Sequence, residues 1–472
     1  MRIKTVGIVG GGPGGLLTAY FLEKIVNAPV HVTLFEASER LGGKILTPTF
    51  SSAPVSYEAG AAEFYDYSHF DEDPLKDLIH ELGLSIQPMG GSSVIMDDHL
   101  LSSTVDIEKH LGSAAVEELK AFDRRARNLI TPDEFYHSDH PEGTSKPVER
   151  TSFASMFEQI KDPQARRYVE TLIHSDLATE PRCTNISYGL QNYLMNDCDY
   201  MTLYGIVGGN ELLPRELISR IHATLKTQHV VNEVSKRGHK ICVETIHEEI
   251  TESHEFDYVI VALPHVSIPT VNFADDDLAE SIRDHHDHYN HPAHYLRVSM
   301  LFDRQFWKPT LNDSYWMLDK FDGCCLYDES SRQPGSPYGV LGWLLGGEAA
   351  LEMCELNDEQ LIEAALDSLP PFLSEARECF LEGCVHRWAS AVSALPGGIG
   401  KKNEAERHQP EPIHHPNLFL VGDYLYDTTL NGVLDSAHYV ASWIAAKLDE
   451  DAATTHTNQV LETTGVFQNV SN

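Results

Sequence analysis

The run Val6-Gly7-Ile8-Val9-Gly10-Gly11-Gly12-Pro13-Gly14-Gly15 constrains this chain more than any other stretch. Thr5 to Val9 reads as a short buried strand, and Leu16 to Val26 carries apolar residues at helical spacing. Gly10, Gly12 and Gly15 therefore fall on the turn between strand and helix, in the pattern GxGxxG. Each has its own reason to be glycine: Gly10 for the tight turn, Gly12 so that a pyrophosphate can approach the backbone, Gly15 so that the helix lies close against the strand. Pro13 and Gly14 belong to the same turn. The helix N-terminus behind them points unpaired N–H groups and a partial positive charge at the phosphates. Val30 to Phe35 reads as a second strand, and Glu36 ends it. A carboxylate there accepts hydrogen bonds from ribose hydroxyls and repels a 2′-phosphate, which argues against NADP.

Two further segments follow, Arg40-Leu41-Gly42-Gly43-Lys44 and Tyr57-Glu58-Ala59-Gly60-Ala61-Ala62-Glu63. With Glu36 they resemble the extended fingerprint of the FAD-dependent amine oxidase superfamily, which also includes protoporphyrinogen oxidases and phytoene-desaturase-like enzymes. The resemblance implies that Gly42, Gly43 and Lys44 lie against the FAD diphosphate. It also implies that Gly60, Ala61 and Ala62 pass beside the isoalloxazine ring, where small residues suit close approach.

The resemblance further implies that the chain returns to this domain twice. Tyr204 to Pro214 resembles a re-entry segment, followed by a helix through Leu225 and by strands at Val230 to Val234 and Ile241 to Val243, with Val231 near the adenine. Phe256 to Pro264 reads as one returning parallel strand. On the last visit Leu418 to Asp423 is a buried strand, and Leu430 to about Leu448 a closing helix. The family pattern puts Gly422 and Asp423 at the ribityl and diphosphate end of FAD, and Gly432 and Val433 where the helix N-terminus faces the flavin N1/O2 edge. A helix N-terminus there stabilises the negative charge of reduced flavin.

The fold expected is thus α/β, a discontinuous Rossmann-type FAD-binding domain (1–66, 205–268 and 385–448) with a second, mixed α+β substrate domain (67–204 and 269–384). Helices are expected at Pro74 to Leu82, Ala114 to Ile130, Ser152 to Ile173, Asp358 to Leu369 and Pro371 to Phe380. Strands are expected at Leu296 to Phe302 and Tyr338 to Leu345. The polar stretch Ser138 to Lys146 reads as a separator, and 449–472 as a mobile tail without a core.

Composition excludes several alternatives. Acidic residues outnumber basic ones 71 to 35, a formal charge of −36, which opposes nucleic acid and anionic membranes at long range. No stretch approaches the ~18 apolar residues of a membrane span. The eight cysteines form neither CxxC pairs nor a disulfide framework, so a cytoplasmic location is expected. A homo-oligomer is left open. No hydrolase or kinase motif appears.

With flavin carrying the chemistry, the protein selects a small-molecule substrate and presents one C–H bond to flavin N5. Three residues are candidates for that part of the site. Arg297 stands where many family members carry a lysine that holds a water near N5; it is permanently charged, and either binds an anionic or carbonyl group of the substrate or pairs with a surface carboxylate. Thr429 takes the place of one member of the aromatic cage of monoamine oxidases. Glu63, where family L-amino-acid oxidases place an arginine, would favour a cationic amine and disfavour a carboxylate. No cysteine falls in the pattern for covalent flavin attachment, so FAD is expected to be noncovalent. The histidines His285, His286, His288, His291 and His294 read as a solvated loop rather than a metal site. The expected function is oxidation of a C–N bond of an amine, with oxygen or another acceptor reoxidising the flavin. The alternatives are a C–C dehydrogenation of desaturase or protoporphyrinogen-oxidase type, and a redox-neutral flavin protein.

Overall fold

A computed structural model of the chain describes residues 3–68, 72–91, 93–132, 135, 151–195, 197–395, 402–426 and 428–463. The opening strand, Lys4–Val9, is the centre of a five-stranded parallel sheet. Val30–Phe35 and Tyr258–Val261 flank it, and Thr224–Lys226 and Leu418–Leu420 form the edges. Val6, Ile8, Leu34, Val259 and Ile260 are fully buried, as parallel strands covered on both faces require.

The helix Pro13–Ile25 begins with proline in its first turn, where a missing N–H costs nothing, after Gly12 at the N-cap. It packs against the last helix, Leu430–Thr463, with the Phe21 ring edge-on to His438 at 5.1 Å between centroids. That helix contributes Leu434, Ala437, Ala441, Ile444 and Leu448 at alternating steps of three and four, a single apolar face. Each large side chain buried there is worth about 1.5–3 kcal/mol, which anchors the C-terminal helix over the N-terminal fingerprint. Beside the parallel sheet, Val230–Arg237, Lys240–His247 and Ile250–Phe256 form an antiparallel meander.

The remainder is built on a seven-stranded sheet. Pro292–Phe302 pairs antiparallel with Gly339–Gly346 on one side and Phe380–Ser393 on the other. In the strand Cys324–Asp328, Cys325 and Tyr327 face the core with Phe122, Val169 and Leu190, whereas Cys324 and Leu326 face the core of Trp307 and Trp343. Period-two alternation between two apolar layers makes Cys324 to Tyr327 a continuous buried run ahead of Asp328.

Several boundaries differ from the sequence expectation. The helix expected over Ser152 to Ile173 is broken: Ala154–Phe157 is a short turn, and Pro163–Leu177 starts afresh, with the Asp162 carboxylate accepting from the Gln164 and Ala165 amides. The helix expected to run through Leu225 ends at Arg220, and Thr224–Lys226 pairs instead with the open edge of Val30–Phe35. Phe256 to Pro264 is two strands parted at Asp257, whose carboxylate accepts from the Thr5 amide at 2.9 Å and hydroxyl at 3.0 Å. Over Pro371 to Phe380 only Ala376–Cys379 is α-helical, and Phe380 opens a strand. That strand belongs to the seven-stranded sheet. The last helix continues past Leu448 to Thr463. Ser138 to Lys146 lies outside the described residues.

All eight cysteines are unpaired. Among the described residues no helix is long and apolar enough to cross a membrane.

Candidate active site

The fingerprint turn leaves no room for side chains where the sequence has none. Gly10 has φ 109°, and a Cβ on it would lie 2.4 Å from the Ala262 carbonyl oxygen; one on Gly15 would lie 2.0 Å from that of Gly10. Gly12 faces open space apart from the Gly43 backbone, and Gly42 donates its N–H to the Gly11 carbonyl at 2.8 Å. The two glycine turns therefore form one backbone cradle at the start of the Pro13–Ile25 helix, with Gly14 on its buried side. The first turn of that helix holds no acidic side chain and no side-chain cap, so its N–H groups are open to an anion. Glu36 stands beside the cradle, its Oε2 accepting from the Gly11 amide at 2.8 Å and its Oε1 from the Ser38 amide and hydroxyl.

From this cradle a cavity runs toward the seven-stranded sheet. Pro13, Lys44, Asp423 and Val433 line it together with Gly60, Ala61, Ala62, Glu63, Arg297 and Thr429. Tyr65, Tyr188, Tyr295, Trp388 and Asp176 also line it. The Lys44 ammonium donates to the Ala391 carbonyl and lies 3.8 Å from the Asp423 carboxylate. A Cβ on Gly60 would lie 1.8 Å from the Lys44 carbonyl, so this glycine is required by the neighbouring strand of backbone. The Thr429 hydroxyl accepts from the Gly432 amide at 3.3 Å, in the manner of a helix cap.

A buried ion network adjoins the cavity through the lining residue Arg297. Arg297 and Glu329 are 1% and 2% exposed and meet at 2.6 Å; Arg332 and Glu58 meet at 2.7 Å. The Glu58 amide donates to the second oxygen of Glu329 at 2.7 Å, linking the pairs, and Thr47 and Asn210 donate to the Glu58 carboxylate. The Arg297 guanidinium also sits 5.3 Å from the Tyr327 ring centroid. Glu63 adjoins this network, and its Oε2 is buried without a hydrogen-bond partner. Burial pushes the Glu63 carboxyl above the usual carboxylate range; Arg297, Arg332 and a Tyr327 hydrogen bond oppose the shift without cancelling it. Burial likewise raises Glu58.

The structure thus brings ten of the sequence-designated residues to one cavity: Pro13, Lys44, Gly60, Ala61, Ala62, Glu63, Arg297, Asp423, Thr429 and Val433. Gly10, Gly12, Gly14, Gly15, Gly42, Gly43 and Glu36 form the adjoining cradle. Gly422 follows the last parallel strand, Leu418–Leu420, with its N–H donated to the Ser436 hydroxyl, and Gly432 lies in the first turn of the last helix. Val231 packs in a core with Val9 and Phe35 and does not line the cavity. The carboxylate that Arg297 holds is the buried Glu329 rather than one at the surface, and Arg297 also lines the cavity. Nor are the five histidines a solvated loop. His285, on the helix Asp276–Tyr289, is 1% exposed and bonds to the Arg407 carbonyl; His286 stacks on His265, His291 bonds to the His288 carbonyl, and His294 accepts from the Ser390 amide.

Sequence reasoning did not find Glu58, Glu329, Arg332, Asp176, Tyr188, Tyr295 or Trp388. Only Tyr188 carried a readable signal: Tyr188, Gln191, Asn192 and Met195 all line the cavity and recur at one helical face.

A parallel sheet with a glycine cradle at its centre, opening into a cavity walled by a second sheet, defines a dinucleotide-dependent oxidoreductase of the two-layer flavoprotein kind. The family model for flavin-containing amine oxidoreductases matches residues 13–445, and the chain belongs to that family. It is 22% identical over 440 residues to polyamine oxidase 4 of Oryza sativa subsp. japonica, covering 88% of this chain and 82% of that protein. Cyclohexylamine oxidase from Brevibacterium oxydans IH-35A shares the fold with a TM-score of 0.72 at 17% identity, over 95% of this chain and 100% of its own. A putrescine oxidase redesigned at its cofactor site does so with a TM-score of 0.73 at 18% identity, over 94% and 99%. The protein is an FAD-dependent oxidoreductase acting on a small molecule. Its residues fit the cofactor: the cradle takes no Cβ at Gly10 or Gly15, the helix N-terminus lacks acid, and Glu36 is a carboxylate at the strand end, anchored beside the cradle by the Gly11 amide.

Proposed function

We propose that this protein oxidises a cationic aliphatic amine at the carbon attached to nitrogen. The observation that carries the reading is the cavity wall, where two acidic side chains, Glu63 and Asp176, stand among Tyr65, Tyr188, Tyr295 and Trp388. Carboxyl groups and aromatic faces together attract an ammonium group and shelter its alkyl chain. The relatives named for polyamine, putrescine and cyclohexylamine point the same way.

Bound FAD supplies a two-electron acceptor. In the cradle, Gly10, Gly12, Pro13, Gly14, Gly15, Gly42 and Gly43 would receive its diphosphate, Glu36 the ribose and Val231 the adenine side. Lys44, Asp423 and Gly422 would face the diphosphate and ribityl end. Gly60, Ala61, Ala62, Gly432 and Val433 would flank the ring, with Thr429 capping the helix that reaches it. No cysteine of the chain lines the cavity, which supports noncovalent attachment. Glu63 holds the substrate cation, Arg297 keeps the wall behind it charged and rigid, and the aromatic side chains exclude water. With FAD bound, the substrate ammonium would first lose a proton to solvent, and the adjacent carbon would then give up a hydride; water would hydrolyse the resulting iminium to a carbonyl compound and ammonia or an amine, and oxygen or another acceptor would take the two electrons. The parallel-sheet segments form the cofactor unit and the seven-stranded sheet the substrate unit, and the unpaired cysteines support a cytoplasmic setting.

The test is product analysis with aliphatic mono- and diamines. One carbonyl product per two electrons accepted is expected; turnover of unsaturated ring compounds but of no amine would overturn the reading.

A further inference from the structure

We propose that Glu63 is protonated in the enzyme without substrate, and that a cation entering the cavity expels this proton to solvent, one for each cation bound. The inference rests on the amine reading above and specifies how the site stores and exposes its negative charge.

The argument begins with a charge count. The buried network contains three glutamates and two arginines, and the arginines are already matched: Arg297 with Glu329 at 2.6 Å and Arg332 with Glu58 at 2.7 Å. Glu63 is the odd carboxyl. Its Oε2 is buried with no hydrogen-bond partner, whereas both oxygens of Glu58 and of Glu329 receive donors. Around it stand neutral Tyr327, Tyr65 and Tyr295, whose hydroxyls burial keeps far from ionising. Asp176 shares the cavity wall. Ionising Glu63 there would leave a third buried negative charge against two positive ones, which costs more than protonating it. Burial raises its carboxyl in the same sense. The cavity onto which Glu63 opens is where a missing cation can enter, and an ammonium or guanidinium group supplies the counter-charge that the network lacks.

Such a device matters for selectivity. A neutral ligand meets a neutral acid, and a carboxylate ligand meets an acid that cannot compensate it. A cation alone converts Glu63 into its own ion-pair partner, paying only the cost of releasing the proton.

The test is isothermal titration of the FAD holoenzyme with butylguanidinium, a permanent cation, in phosphate and in Tris at matched pH between 5.5 and 8.5. The buffer dependence of the heat gives the protons released. Release approaching one per ligand at low pH and declining as pH rises is expected, with affinity falling about tenfold per pH unit below the shifted pKa. Glu63→Gln is expected to bind more weakly and to release none. Binding to the parent without proton release at any pH would overturn the proposal while leaving the amine reading intact. Equal release from Glu63→Gln would overturn the assignment to Glu63. Binding of neutral pentanamide but not of butylguanidinium would overturn the amine reading and this inference with it.

Discussion

At the scale of single residues, the active cavity depends on where charge is matched and where it is not. Glu63→Gln keeps the shape and removes the ionisable group. Its apparent KM for a cationic amine is expected to rise about 30-fold, on the order of 2 kcal/mol, with the flavin spectrum unchanged. An unchanged KM would remove Glu63 from the substrate site. Glu329→Ala acts differently, because it strands the Arg297 guanidinium in the interior. Equilibrium denaturation is expected to show a loss of about 3–5 kcal/mol; a loss below ~1 kcal/mol would mean that the buried pair is not holding the wall. These two residues also mark how far sequence can be read. Glu63 was legible because it ends a motif that begins at Tyr57. Glu329 was not, because its significance comes from Arg297 and from the Glu58 amide, 271 positions away, and no local pattern encodes such a meeting.

At the scale of elements, two features invite measurement. The turn joining Lys240–His247 to Ile250–Phe256 places Glu248 and Glu249 at φ 48° and 65°. A two-residue hairpin of this hand prefers Asn-Gly, so replacing both residues accordingly should add about 1 kcal/mol of stability; lowered stability would show that the glutamates make compensating contacts. The second feature is acid sensitivity. Burial pushes His285 down to about 3 and His408 down to about 4. Both are bases with depressed folded-state pKa values, so their contribution is present above the unfolded value near 6.5 and lost as pH falls toward the folded one. At pH 5 each should cost about 2 kcal/mol relative to pH 7.5, read as a fall in the denaturation midpoint; replacing His285 with an uncharged residue should flatten that fall even if it lowers stability throughout. Element boundaries were legible where local chemistry decides them. Pro74, with Asp73 capping ahead of it, opens a helix as expected. Asp162-Pro163 carried the same signal inside a longer periodic stretch, and periodicity hid it. Thr224–Lys226 is a strand only because the edge of Val30–Phe35 is open to it, which is a tertiary fact.

At the scale of the molecule, the order of segments in the parallel sheet explains why the cofactor half was readable and the substrate half was not. The cofactor half must meet one invariant shape, so its residues are fixed by backbone closeness: Gly10 against Ala262, Gly15 against Gly10, Gly60 against Lys44. The substrate half needs only a packed sheet and a wall of suitable chemistry, and many sequences satisfy that. Phe380–Ser393, for example, pairs with Pro292–Phe302 through backbone bonds that any sequence of strand character can make. The measurement that bears most directly on the whole account is the visible spectrum of the holoenzyme under anaerobic conditions, recorded as aliphatic amines, amino acids and unsaturated ring compounds are added in turn. Loss of the oxidised-flavin band with a cationic amine, weakened in Glu63→Gln, is the predicted result; a band bleached only by an unsaturated compound, or by none of them, would contradict it.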